Sequence, residues 1–153
     1  MGLEELLDQQ TILVRLKGNQ KQEVIEELVD ALNTSCKIDD CSDVLNAVLE
    51  REKIMSTGIG KGVAIPHGKT DSVDSLVGVL GIKKEGIDFQ SLDEQPVYLF
   101  FLLISPLNVS GPHIRALAHI SRLLRNDNLR KDLIASENPN QTLELIKTAE
   151  GKM

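Results

Sequence analysis

Two continuous apolar runs constrain this chain more than any other feature: Leu76-Val77-Gly78-Val79-Leu80-Gly81-Ile82 and Pro96-Val97-Tyr98-Leu99-Phe100-Phe101-Leu102-Leu103-Ile104. Neither alternates with polar residues, as a strand with one wet face does, so both read as strands buried on two faces. Such strands need a layer on each side, and the chain supplies helices. From Gln20 onward, Val24, Ile25, Leu28, Val29 and Leu32 share one helical face; after a cap at Ser42 or Asp43, Val44, Leu45, Val48 and Leu49 do the same. A helix opened by Pro112 buries Ile114, Leu117, Ala118, Ser121 and Leu124. Two more follow, one through Leu129, Leu133 and Ile134, the other through Leu143 and Ile146 to a C-cap near Gly151. Leu3 to Leu7 starts a short helix, Thr11 to Leu16 a further strand, and the polar stretch from Lys83 to Phe89 turns the chain between the apolar runs. The expectation is an α/β fold, a single domain over residues 1–153 with a central mixed β-sheet flanked by helices.

The formal net charge of -6 argues against nucleic acid, whose phosphates call for a basic face, and suits a basic protein partner. The start, Met1-Gly2-Leu3-Glu4-Glu5, lacks the features of a signal peptide, and no stretch reaches membrane-spanning length. The chain therefore reads as cytoplasmic, without direct membrane insertion. Cys36 and Cys41 fit neither a C-x-x-C redox motif nor a zinc site and read as free thiols.

Chemistry concentrates in Ser56-Thr57-Gly58-Ile59-Gly60-Lys61-Gly62-Val63-Ala64-Ile65-Pro66-His67-Gly68. The glycines allow close approach of backbone to a ligand, and Pro66 stiffens the chain just before a histidine that can act as nucleophile, proton carrier or metal ligand. The loop does not follow the G-x-x-x-x-G-K-[ST] spacing, and it follows a helix where a dinucleotide fingerprint follows a strand, so nucleotide binding is not indicated. Arg51, at the edge of the preceding helix's apolar stripe, reads either as a snorkelling side chain or as a fixed cation aimed at an anion beside the loop. His113 lies in the first turn of its helix, a natural place to hold phosphate. His119 shares a polar stripe with Arg115 and Arg122 and reads as solvated, as do Lys61 and Lys69. No H-E-x-x-H or paired carboxylate set appears, which argues against a metal-dependent hydrolase built on the three histidines.

One ordered set of motifs carries a resemblance. Arg51 on its helix, Ser56-Thr57-Gly58-Ile59-Gly60, Ala64-Ile65-Pro66-His67-Gly68, Gly86-Ile87-Asp88-Phe89, Gln95-Pro96-Val97, and His113 with Ser121-Arg122-Leu123-Leu124 together span half the chain or more. In this the chain resembles the enzyme IIA proteins of the phosphoenolpyruvate-dependent sugar phosphotransferase system (PTS), in the branch of fructose, mannitol and nitrogen-regulatory members, the EIIA type-2 domain. The resemblance implies a phosphotransferase with a phosphohistidine intermediate and no cofactor or metal. His67 would accept a phosphoryl group on Nε2 from the histidine phosphocarrier protein and pass it to a cysteine of a IIB domain for sugar uptake. The alternative within the family is a nitrogen-regulatory protein whose phosphorylation state controls its binding to partner proteins. Arg51 and His113 match positions that support the phosphoryl group. The chemistry asks mainly for positioning and charge stabilisation, which Arg51, the helix start at His113 and the backbone of the loop at Thr57, Gly58 and Gly60 could supply.

Overall fold

The structure, a computed structural model, describes residues 2–153. Two 3-10 turns (Leu3–Glu5 and Gln9–Thr11) lead into β1 (Ile12–Leu13), α1 (Lys21–Thr34), α2 (Cys41–Ile54), β2 (Gly58–Gly60), β3 (Val63–Ala64), β4 (His67–Lys69), β5 (Val77–Ile87), β6 (Val97–Ser105), α3 (Ser110–Leu123), α4 (Asp127–Ala135) and α5 (Pro139–Gly151). The strands form one mixed sheet in the order β1-β5-β6-β3-β2, with β4 also pairing β6. β5 and β6, the two apolar runs, are antiparallel neighbours at its centre, with β1 parallel to β5. Among the described residues no helix is long and apolar enough to cross a membrane.

The pleat divides β6 between two cores. Phe100, Leu102 and Ile104 face α1 and α2, packing with Val24, Ile25, Leu28, Val44 and Val48. Leu99, Phe101 and Leu103 face the other way, with Ala116, Ile120, Leu123, Leu133 and Ile146. This two-sided burial explains why the run shows no polar alternation.

Several local expectations shift. β5 continues through the polar stretch expected to turn, absorbing it in an irregularity between Ile82 and Ile87 where Gly86 has φ +73°. Lys83 is buried there because its Nζ donates to Leu16 O and Asn19 Oδ1, both at 3.2 Å. The cap of α2 is Asp40, whose carboxylate accepts from Asp43 N at 3.1 Å, so the helix starts ahead of the expected Ser42 or Asp43 cap. α3 begins at Ser110, ahead of Pro112, and buries His113, Ala116, Ile120 and Leu123, leaving Ile114 64% exposed. The polar His113 hid that stripe from an apolar count. His119 is not solvated: its Nε2 meets Glu150 Oε2 at 2.6 Å, and the same carboxylate accepts from Leu3 N at 2.9 Å, joining α3, α5 and the first turn.

Gly68 of β4 lies beneath α2, where a Cβ would sit 3.2 Å from the Ala47 carbonyl carbon and from Val48 N. A side chain there must displace helix backbone, so Gly68→Val is expected to cost about 1–3 kcal/mol in urea unfolding.

Candidate functional site

β3 and β4 are one parallel partner of β6, interrupted at Pro66. Val63 and Ala64 pair Leu99 and Phe100, and after the proline His67, Gly68 and Lys69 pair Leu103, Ile104 and Ser105. Alternation then sorts the side chains. Ala64 packs in the α2 core and Val63 and Ile65 in the other, while Gly68 meets α2 and His67 stands on the α3 face. The glycine-rich stretch is therefore a strand-paired hairpin, β2 against β3, rather than a mobile connection. Gly60 at φ +99°, Lys61 at +58° and Gly62 at +80° form its turn, and Lys61 N donates to Asp93 Oδ2 at 3.1 Å.

His67 is half-buried, and its Nδ1 lies 2.8 Å from Ile65 O. A carbonyl oxygen only accepts, so Nδ1 carries the proton and Nε2 keeps a free lone pair. Desolvation lowers the His67 pKa and the Arg51 charge lowers it further, against opposing effects of the Ile65 bond and the Glu52 carboxylate. The ring is neutral at neutral pH. It lines a cavity of about 370 Å³ with Arg51, Met55, Thr57, Ile59, Leu92 and Leu117 among the walls. Arg51 Nη1 donates to Met55 O at 2.7 Å, which bends the guanidinium back over the end of its own helix toward this cavity.

α3 brings His113 over the same sheet face. The two imidazoles lie 5.4 Å apart between ring centroids, tilted by 58°. His113 Nδ1 is 2.6 Å from Ser105 Oγ, on the strand residue that pairs Lys69. Burial, then the neighbouring His67 and Lys69 charges, lower its pKa to about 4. Its backbone N–H is already given to Val109 O at 3.1 Å, so only its side chain is open to a ligand. Lys69 is not fully solvated, its Nζ donating to Ser110 Oγ at 3.0 Å.

Sequence reasoning missed Glu52. This carboxylate is 7% exposed and accepts from Lys21 Nζ at 2.7 Å, Thr57 N at 3.0 Å and Thr57 Oγ1 at 2.5 Å. The available signal was an acidic residue in the last helical turn, where the dipole disfavours negative charge, just before the loop. Thr57 thus spends both donors inward, and Gly58 N donates to Ser56 Oγ at 3.1 Å, so both shape the loop while their own N–H groups are engaged. Among the described residues no group of three or more His, Cys, Asp or Glu side chains is placed to hold a metal ion.

Residues 5–149 match the family described as "Phosphoenolpyruvate-dependent sugar phosphotransferase system, EIIA 2". The fructose-specific EIIABC component of the PTS in Bacillus subtilis is 37% identical over 95% of this chain and 23% of its own length. The chain thus spans about a quarter of that relative. A nitrogen regulatory protein of Bradyrhizobium diazoefficiens is 39% identical over 89% of this chain and 88% of its own length. Among solved structures, the nitrogen regulatory protein IIA-Ntr of Neisseria meningitidis superposes with a TM-score of 0.87 at 28% identity, covering 94% of this chain and 98% of that one.

An unfolded histidine protonates near 6.5, whereas His113 in the fold resists until about 4. Between those values the unfolded state binds more protons, so stability falls as pH drops, by roughly 3 kcal/mol at most from this residue. Urea midpoints measured from pH 7 to pH 4 should show this loss, and His113→Gln should flatten it.

Proposed function

This chain belongs to the phosphoenolpyruvate-dependent sugar phosphotransferase system EIIA 2 family, and on that premise we propose that it is a cytoplasmic phosphoryl-transfer component with His67 as acceptor. The observation that carries the reading is the His67 Nδ1–H bond to Ile65 O, which leaves Nε2 as a neutral nucleophile beside Arg51 and His113. The Nε2 lone pair attacks the phosphorus of a phosphohistidine on the histidine phosphocarrier protein. The donor's P–N bond breaks, and its electron pair returns to the donor imidazole. Positive charge developing on the His67 ring is held at Nδ1–H by the Ile65 carbonyl. In the second step a IIB cysteine thiolate attacks the same phosphorus, the Nε2–P bond breaks, and His67 recovers its lone pair.

In this reaction Arg51 neutralises phosphoryl oxygens, and the Ser105 hydroxyl, taken as donor across its 2.6 Å contact with His113 Nδ1, would leave His113 Nε2–H to donate to one of them. Thr57, Gly58 and Gly60 support the group by fixing the shape of the loop. A protein donor and acceptor fit the rim of the cavity, where Met55, Ile59 and Leu92 are 57%, 44% and 63% exposed and give an apolar collar around a charged centre.

A second reading within the family is regulatory: the same phosphorylation is read by partner proteins and no sugar follows. Near-equal identity to a fructose-specific component and to a nitrogen regulatory protein keeps it beside the first. Rapid dephosphorylation by a IIB domain supports sugar transfer; partner binding that changes with His67 phosphorylation, without such transfer, supports regulation.

Intact-mass spectrometry after incubation with phosphoenolpyruvate, enzyme I and the phosphocarrier protein should show one acid-labile phosphoryl group, absent in His67→Ala. A phosphoryl group retained in that variant overturns the assignment. Arg51→Ala and His113→Ala should fold and slow transfer by about 10- to 1,000-fold in rapid-quench measurements.

A further inference from the structure

A continuous chain of hydrogen bonds runs from the start of α1 to His67. Lys21 Nζ, at the start of α1, pairs with Glu52 at 2.7 Å. Glu52 takes both donors of Thr57, at 3.0 and 2.5 Å. Thr57 O accepts from Ile65 N at 3.0 Å, and Ile65 O accepts from His67 Nδ1 at 2.8 Å. Each bond restrains the residue that carries the next acceptor. The Ile65 carbonyl, which selects the His67 tautomer, is thereby linked to one buried carboxylate as well as to the β6 ladder.

We infer that Glu52, anchored by Lys21, is a positioning residue for the transfer reaction: through Thr57 and Ile65 it fixes the tautomer and ring orientation of His67. The inference rests on the proposed role of His67 and deepens it. Glu52 touches no reacting atom. It holds the β2 end of the hairpin against α2, so that Ile65 presents its carbonyl where the ring can donate. Lys21 supplies the counter-charge that keeps a carboxylate in so dry a place, and its Nζ also lies 4.7 Å from the centroid of the Phe89 ring, which limits its freedom to leave. Glu52 also acts on His67 through space, its charge opposing the effect of Arg51 on the same imidazole. An uncharged side chain of the same shape would keep some packing and lose the anchor, the paired acceptors and that field.

The test compares wild type, Glu52→Gln, Thr57→Val and Lys21→Met in the full chain labelled with nitrogen-15 histidine. Long-range nitrogen–proton correlation reads the tautomer of each histidine, and rapid-quench phosphorylation by the phosphocarrier protein reads the rate. The expected wild-type result is a single Nδ1–H tautomer at His67. In Glu52→Gln the Nε2–H form should appear at comparable population, and transfer should slow by about 10- to 100-fold, the scale of a misplaced nucleophile. Thr57→Val and Lys21→Met should move both readouts the same way by less. His113 and His119 act as internal controls: a change confined to His67 supports positioning, whereas equal change at all three marks general loosening and overturns it. Unchanged His67 tautomer, or transfer within about twofold of wild type, in folded Glu52→Gln also overturns it. If that variant does not fold, the same criteria apply to Thr57→Val and Lys21→Met. A wild type that accepts no phosphate defeats the proposed reaction instead, while the tautomer comparison, which needs no donor, still judges Glu52.

Discussion

The pairing of β3 and β4 along one side of β6 is the constraint on which the site depends. Pro66 has no N–H to offer the ladder, yet its carbonyl still accepts from Leu103 N at 3.0 Å, so the strand loses a donor without losing its direction. Register resumes at His67 against Leu103. A shift of one residue would turn His67 under α2, where Ala47 and Val48 leave no room beyond a glycine, and would put Gly68 opposite His113. The apolar residues on both sides of β6 guard against that slip, because Val63 and Ile65 would have to leave one core and Ala64 the other. Fold stability and the placement of His67 rest on the same register.

The electrostatics of the site differ from those of the chain. A net charge of -6 describes the whole surface, but the charges that act on the two imidazoles include Arg51 and Lys69. Desolvation, with these cations, favours the neutral form of both rings. In the proposed reaction the same cations would attract a phosphoryl dianion, so the features that keep His67 Nε2 free would also receive the group it takes. A basic partner inferred from total charge is thus too coarse a picture for the face that carries His67. That face combines apolar side chains with local positive charge.

The central strands and the helix layers were legible because burial on two faces leaves an unbroken apolar run, and amphipathic helices leave a period. His67, Arg51 and His113 were singled out together by the resemblance that the ordered motifs carry, and the structure gathers all three around one region. What was illegible depends on contacts between distant residues. The buried face of α3 begins with His113, whose burial requires Ser105, a residue on another strand. His119 reads as a surface residue until Glu150 arrives from α5. The glycine-rich stretch reads as a loop because no local pattern reveals that it pairs in a sheet, or that Leu92 N closes on Gly58 O at 3.1 Å. Glu52 was lost for a similar reason: its place in the last turn was the one local sign, and its partners Lys21 and Thr57 both lie outside that helix.

On its inferred role, Glu52 is also where stability and function make different demands. A carboxylate in the last turn of α2 stands against the helix dipole and, at 7% exposure, is deprived of water. Its bonds offset those costs, but a well-packed apolar residue of similar volume can match a buried ion pair for stability. Such a residue could not accept from both the amide and the hydroxyl of Thr57, and it would leave that amide and the Lys21 ammonium without their partner. The hairpin would keep its ladder and its turn contacts but lose the bonds that tie Thr57 to α2. The proposed transfer would tolerate that poorly, because an Nε2 displaced by about 1 Å would lose its line to phosphorus even where the fold is intact. The buried charge is therefore explained better by the precision it gives the loop than by the energy it contributes to folding.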